Sequence, residues 1–324
     1  MSETAPKIQP EILRVTRMEW AATGVLEVEL RDSEGHELPP YTPGAHLDLK
    51  LPNGLIRSYS LKGDPDRRDR YVVGVGLDAA TRGGSDYVHR TLRVGDMLPV
   101  DGPRNHFQLD EHADRTVLIA GGIGVTPMVC MARRLSKLGR DCRFHYAVRS
   151  ADRAAFLDEL KGLNIDLRLH LDDQAGGPLD MAKALNGAGP GTHAYCCGPA
   201  GMMAAFEAAT AEWDPDCVHV EYFTPKEIPV AVGDEGGAVT VDCRRSGKTV
   251  EVPAEQSIAE ALRAAGISIE TSCEDGICGT CETRVLEGTP LHRDSVLTKK
   301  EQEAGRTMMI CVSRCRGDRL VLDL

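Results

Sequence analysis

Apolar and polar positions alternate through the first third of the chain. Val25-Leu26-Glu27-Val28-Glu29-Leu30, Ala45-His46-Leu47-Asp48-Leu49 and Tyr71-Val72-Val73-Gly74-Val75 alternate or are β-branched, the mark of short strands. Turn residues separate them at Asp32-Ser33-Glu34-Gly35, Pro52-Asn53-Gly54 and Val94-Gly95-Asp96. Strands at this spacing predict a closed or Greek-key barrel over residues 11–108. Near residue 115 the pattern changes. Residues 116–120 are a continuous apolar run, followed by Gly121-Gly122-Ile123-Gly124 and an amphipathic stretch to Leu138. Thr126 is expected to cap that helix, with Pro127 in its first position and Gly139 just past its end. Residues 142–148 read as the next strand. Strand, loop, helix and strand predict a parallel α/β unit over residues 109–226.

Residues 227–237 carry proline and a Gly/acidic cluster without periodicity, and read as a linker. Residues 238–324 make a third unit of small-domain size. The length of 324 residues suits two to three domains, each able to bury a core. Lys plus Arg number 38 against 49 Asp plus Glu, a formal net charge of −11. That balance argues against a nucleic-acid partner, whose binding relies on basic side chains displacing counterions. No apolar run approaches a membrane span, and the first residues lack the basic-then-apolar order of a secretory signal. The expectation is a cytoplasmic protein with no membrane partner. In a reducing compartment the 11 cysteines are not a disulfide framework. Four of them fall in one C-terminal arrangement, which points to metal chemistry.

That arrangement is Cys273-Glu274-Asp275-Gly276-Ile277-Cys278-Gly279-Thr280-Cys281, a C-x4-C-x2-C run, with Cys311 further on. It is the plant-type [2Fe–2S] spacing. Four thiolates hold two irons, and small residues such as Ser272, Gly276, Gly279 and Thr280 let backbone N–H groups reach the sulfurs. The competing reading is a structural zinc held by Cys278, Cys281, Cys311 and Cys315, which leaves Cys273 idle. On the iron–sulfur reading Cys315 is an ordinary small residue.

Four further segments accompany the cysteines. They are Arg57-Ser58-Tyr59-Ser60-Leu61, Arg82-Gly83-Gly84-Ser85, Gly121-Gly122-Ile123-Gly124-Val125-Thr126-Pro127 and Tyr195-Cys196-Cys197-Gly198-Pro199. With these motifs in this order, the chain resembles the phthalate dioxygenase reductase and vanillate demethylase reductase family over nearly its whole length. The resemblance implies an antiparallel β-barrel flavin domain (1–108) and a ferredoxin reductase-like parallel α/β NAD domain (109–226). The linker (227–237) then leads to a β-grasp [2Fe–2S] ferredoxin domain (238–324). It implies FMN held by Arg57, Ser58, Tyr59, Ser60, Gly83, Gly84 and Ser85, with Thr126 and Phe223 beside the ring. It implies a nicotinamide nucleotide at Gly121, Gly122, Gly124, Pro127, Cys197, Gly198 and Pro199, and the cluster on Cys273, Cys278, Cys281 and Cys311. The implied partner is a Rieske-type oxygenase or demethylase.

The residues themselves agree with these roles. Arg57 offers a guanidinium for a phosphate, and Tyr59 and Ser60 a ring and a hydroxyl for an isoalloxazine. Gly83 and Gly84 let N–H groups converge on an anion. Taken alone, the same residues are a surface cation, a half-buried ring and a glycine turn. Gly121-Gly122-Ile123-Gly124 is not G-x-G-x-x-G, but a strand before it and a helix after it suit a pyrophosphate. Cys197 is expected to position rather than react.

For the nucleotide, Arg149, Ser150 and Arg153 would favour a 2′-phosphate, whereas Asp172 and Asp173 would disfavour it. NADH is the expectation. Because cofactors carry the redox chemistry, no general acid–base side chain is expected to be catalytic. His292-Arg293-Asp294 reads as a polar loop. Glu270, Glu274, Asp275, Glu282 and Glu287 against Arg284 read as an acidic rim that can steer a basic partner. Two alternatives stand beside this reading: FAD in place of FMN, and a stand-alone redox carrier or sensor without an oxygenase.

Overall fold

The computed structural model describes residues 11–78, 83–225 and 237–324. The chain forms two compact units, Met1–Glu221 and Tyr222–Leu324.

The first unit opens with β1 (Glu11–Ala22), β2 (Val25–Asp32), β3 (His46–Lys50), β4 (Ile56–Ser60), β5 (Tyr71–Gly76) and β6 (Met97–Arg104). They form an antiparallel sheet in the order β4-β3-β6-β1-β2-β5. Its outer strands meet. Leu61, just past β4, bridges Val73 of β5, and the Lys62 N–H donates to the Val72 carbonyl at 2.9 Å. The sheet therefore closes into the expected barrel, and closure removes its open edges. Alternation supplies the core: Leu13 and Val15, Val28 and Leu30, Leu47 and Leu49, Val73 and Val75, and Leu98 and Val100 are all buried together. The short helix α1 (Gly84–Arg90) adds Val88 to that core.

A parallel sheet follows, built from β7 (Arg115–Gly121), β8 (Cys142–Val148), β9 (Asp166–Leu171), β10 (Thr192–Cys197) and β11 (Val218–Glu221). Its order is β11-β10-β7-β8-β9. The direction of winding reverses between β7 and β10, and in such sheets ligands bind beyond the carboxyl ends of the strands at that point. The connections carry α2 (Val125–Leu138), α3 (Leu157–Lys161), α4 (Asp172–Ala175), α5 (Met181–Ala184) and α6 (Ala200–Ala209).

The start of α2 differs from the expectation. A 3-10 turn at Gly122–Gly124 runs straight into the helix, so Gly124 occupies the cap position. Thr126 and Pro127 lie two places further inside than expected, and the Thr126 hydroxyl donates back to the Ile123 carbonyl at 3.0 Å. Gly139 ends the helix in the left-handed conformation, as its position implied.

The second unit holds β12 (Val239–Cys243), β13 (Lys248–Val252), α7 (Ile258–Ala264), β14 (Glu282–Glu287), β15 (Pro290–Leu291), α8 (Lys299–Ala304), β16 (Thr307–Met309), β17 (Arg314–Cys315) and β18 (Arg319–Leu322). The main sheet runs β13-β12-β18-β14-β16, with β15 and β17 paired separately. The first hairpin is joined in parallel by the last strand, β18, and α7 lies between in sequence, which is the β-grasp arrangement. Ser257 and Glu260 cap α7 reciprocally, and its Ile258, Ala261 and Leu262 fill the core. Apart from Gly237, the expected linker at 227–237 lies outside the described residues.

Candidate functional site

The loop between α7 and β14 carries Cys273, Cys278 and Cys281, and Cys311 follows β16. Glu274 (φ 55°), Gly276 (φ 70°) and Gly279 (φ 76°) all stand in the left-handed region. Such reversals gather N–H groups into a concavity that receives an anion. The Asp275 N–H donates to the Cys273 sulfur at 3.4 Å. A Cβ at Gly276 would stand 2.6 Å from Val312 Cγ2 and 3.2 Å from Asp294 Cα, so the loop packs closely there because the residue is glycine.

The sulfurs come in two pairs. Cys281 and Cys311 lie 3.2 Å apart, and Cys273 and Cys278 are electrostatic neighbours. Two thiolates per iron is the demand of a [2Fe–2S] centre, whereas one zinc needs four donors around one point. Cys315, the fourth donor of the zinc reading, is committed elsewhere: its thiol donates to the Arg319 carbonyl at 3.3 Å. The donor set fits two irons.

In the first unit, Gly121 ends β7 and Cys197 ends β10, side by side at the point where the winding reverses. Glycines allow the close approach. A Cβ on Gly124 would stand 2.2 Å from the Cys197 carbonyl oxygen, one on Gly121 2.5 Å from Pro199 Cδ, and one on Gly198 2.7 Å from Met202 Sδ. Gly122 (φ 53°) faces open space, and Pro127 is buried in the first turn of α2. Gly121, Gly124, Cys197, Gly198 and Pro199 thus come together at the carboxyl ends of β7 and β10. Burial pushes the Cys197 thiol well above its ordinary range, which suits a packing role rather than a nucleophile.

At the barrel, Arg57 lies across Gly84. A Cβ there would stand 2.6 Å from Arg57 Nε. Gly83 is left-handed (φ 93°) and its carbonyl accepts from Asn53 Nδ2 at 3.2 Å. The Ser85 hydroxyl accepts from the Asp78 N–H at 3.2 Å. A cation and a glycine turn therefore meet, as a phosphate site requires; Arg82 lies outside the described residues. Tyr59 packs on the barrel core. Ser58 is drawn to Asp48, whose second carboxylate oxygen holds Arg104 at 2.7 Å.

Ser60 donates to Glu221 Oε2 at 3.3 Å, and Glu221 stands in register with Cys197 across β10 and β11. Burial pushes the Glu221 carboxyl up to about 8, against the smaller downward effect of the Ser60 hydrogen bond. Thr126 is fully enclosed. A Cβ on Gly74 of β5 would stand 2.5 Å from its methyl, so Thr126 seals the barrel onto α2. Phe223, two residues past β11, is 37% exposed.

The family description "2Fe-2S iron-sulfur cluster binding domain" matches residues 241–316, and "Oxidoreductase NAD-binding domain" matches residues 118–208. The chain is 47% identical over 320 residues to phenoxybenzoate dioxygenase subunit beta of Ectopseudomonas oleovorans, covering 99% of each. The solved structure of phthalate dioxygenase reductase, described as modular for electron transfer from pyridine nucleotides to [2Fe–2S], is 39% identical. It superposes with a TM-score of 0.70 over 97% of each chain. This chain belongs to the phthalate dioxygenase reductase family. A type IV self-sufficient cytochrome P450 monooxygenase is similar too, at 40% identity and a TM-score of 0.89. The match covers all of this chain but only 43% of that larger protein.

As a member of the phthalate dioxygenase reductase family, the protein is an oxidoreductase with an NAD-binding domain and a [2Fe–2S] domain. Three features escaped the sequence. Glu221 gave no signal beyond an acid at a strand end. Lys62 is buried between Glu27 and Glu159, 2.9 Å from the latter, with its ammonium 4.3 Å above the centre of the Phe156 ring. It ties β2 of the barrel to α3 beside the parallel sheet. The acidic rim is also weaker than its sequence count, because Arg263 pairs with Glu274 at 2.6 Å and Arg244 with Glu287 at 2.9 Å. His292-Arg293-Asp294 lies in a loop, with the side chain of Asp294 fully buried and that of His292 nearly so.

Proposed function

We propose that this protein takes a hydride from NADH onto bound FMN and passes single electrons through the [2Fe–2S] cluster of Cys273, Cys278, Cys281 and Cys311 to a Rieske-type oxygenase or demethylase. The observation that carries this reading is the meeting of Ser60, Glu221 and Cys197 where the barrel joins the parallel sheet. A flavin there supplies the change from a two-electron donor to single electrons, and the cluster carries them one at a time.

The residues divide the work. Arg57 with Gly83, Gly84 and Ser85 holds the flavin phosphate, which supports FMN, with one phosphate, over FAD. Tyr59 and Ser60 line the ring, Ser58 braces β4 through Asp48, and Thr126 stands beside the ring. Gly122 leaves backbone open to the nucleotide phosphates, Gly121 and Gly124 let the segment around them pack closely on Cys197 and Pro199, and Pro127 lies in the first turn of α2. Cys197, Gly198 and Pro199 bound the nicotinamide end. The Ser150 hydroxyl is already taken by Asp152 at 2.5 Å, and the Asp173 N–H holds the Arg149 carbonyl at 3.1 Å. Acids at both strand ends support NADH over NADPH.

The last barrel strand ends at Arg104 and the first parallel strand starts at Arg115, which supports domains of 1–108 and 109–226. The names of the relatives, a phenoxybenzoate dioxygenase subunit and a phthalate dioxygenase reductase, support an oxygenase partner. None of the 11 cysteines forms a disulfide, which supports a reducing cytoplasm. Among the described residues no helix is long and apolar enough to cross a membrane.

The test is to extract the flavin from purified protein, run it against FMN and FAD standards, and compare NADH with NADPH as reductant. FMN and a clear preference for NADH are expected. FAD, or equal use of NADPH, would overturn the corresponding part.

A further inference from the structure

The turn at residues 293–297 closes around a buried carboxylate. Asp294 Oδ2 accepts from the N–H groups of Val296 at 3.2 Å and Leu297 at 2.8 Å. Its Oδ1 accepts from the Ser313 hydroxyl at 3.4 Å and stands 3.5 Å from His292 Nδ1. Ser313 Oγ in turn accepts from the Arg293 N–H at 3.2 Å. Burial raises the Asp294 carboxyl, but the nearby His292 ring and the amides of Leu297 and Val296 outweigh it and hold the group below its ordinary range. A fully enclosed, ionised acid with this many donors is expensive to assemble unless the turn it organises has a task.

The next links lead to the cysteine loop. From the middle of this turn the Ser295 N–H donates to the Gly276 carbonyl at 2.9 Å. The Asp294 backbone presses against the same glycine, 3.2 Å from the position a Cβ would take. The N–H of Asp275, the residue before it, donates to the Cys273 sulfur at 3.4 Å. The carboxylate, the turn, the glycine and the sulfur are therefore joined by one series of contacts. Nothing in the proposed electron path otherwise uses His292, Asp294 or Ser313.

We infer that Asp294 is a positioning residue for the iron–sulfur centre: it clamps the 293–297 turn, which holds Gly276 and, through it, the neighbouring Asp275 N–H that is aimed at the Cys273 sulfur. The inference rests on the [2Fe–2S] reading of these cysteines, and is independent of which flavin or partner the protein uses. Hydrogen bonds to the sulfurs stabilise the extra negative charge of the reduced centre and raise its potential. A nearby negative charge does the opposite. The two roles open to Asp294 therefore differ in sign.

The experiment is an anaerobic redox titration of the cluster in full-length protein, comparing wild type with D294A and D294N. Loss of the clamp in D294A should lower the potential by about tenfold in the equilibrium constant, about 59 mV for one electron. D294N keeps an oxygen that accepts from the turn, and should stay within about threefold of wild type. A role through charge alone would raise the potential in both variants, and that result, or an unchanged D294A, overturns the inference. If D294A loses its iron, D294N decides: near-wild-type potential supports the clamp, and a tenfold rise refutes it. Wild-type protein lacking iron and sulfide would instead overturn the cluster reading itself, a separate failure.

Discussion

Ser60 and Glu221 meet from positions 161 residues apart, hydroxyl to carboxylate at 3.3 Å. The contact joins the closing strand of the barrel to the last strand of the parallel sheet. It also puts a carboxyl beside Cys197, in the region assigned to the nicotinamide.

The raised Glu221 pKa has a definite pH consequence. The native carboxyl keeps its proton up to about pH 8, whereas the unfolded chain releases it near 4.5. Between these values the native state binds more protons, so this group's contribution to stability falls as pH rises. Above about pH 8 the loss is complete. E221Q carries no such titration, so it should gain thermal stability relative to wild type between pH 5 and pH 9. Parallel melting curves for both proteins at all pH values would rule out the buried acid.

Arg57→Ala should release the flavin. A hydrogen bond to a charged partner contributes about 1.5–3 kcal/mol, so FMN should bind about 10- to 100-fold more weakly. Arg57→Lys should recover only part, because it loses the forked geometry. Flavin fluorescence during dilution reads both. Unchanged retention in the alanine variant would remove Arg57 from the site.

Cys315 separates the two metal readings. Cys273→Ser, Cys278→Ser, Cys281→Ser and Cys311→Ser should each lose iron and sulfide, while Cys315→Ser keeps them. Loss of metal in Cys315→Ser together with its retention in Cys273→Ser would restore the zinc set. Iron and acid-labile sulfide assays on the five proteins decide it.

Two glycines should respond in opposite ways. At Gly124 a Cβ would stand 2.2 Å from the Cys197 carbonyl oxygen, so G124A should cost about 1–3 kcal/mol and raise the KM for NADH. Gly201, on α6, has nothing within 4 Å of such a Cβ. G201A should be neutral or stabilise by up to about 1 kcal/mol. Melting temperatures and NADH saturation curves check the pair.

The sequence made some of this readable because the information is local. Alternation marked the barrel strands, and the β8 run of residues 142–148 coincides with the strand as built. The C-x4-C-x2-C spacing depends on one loop and needs no knowledge of the rest. What escaped depends on distant partners. No local pattern pairs Ser60 with Glu221, or Lys62 with Glu159. Thr126 looked like a helix cap because Thr-Pro is the usual start, but the preceding 3-10 turn moved the boundary to Gly124. His292 and Asp294 are polar and lie between turns, so burial could be seen only once Ser313 and Gly276 were packed against them. The acidic count between residues 270 and 287 missed Arg244 and Arg263, which folding brings to it.

The central claim is that electrons from NADH reach the cluster on Cys273, Cys278, Cys281 and Cys311. Anaerobic addition of NADH to the purified protein, followed by visible absorbance and low-temperature electron paramagnetic resonance, tests it directly. The account predicts that the flavin bands bleach and that the signal of a reduced [2Fe–2S] cluster appears in the same sample. Flavin bleaching with a cluster that is present but stays oxidised would contradict it.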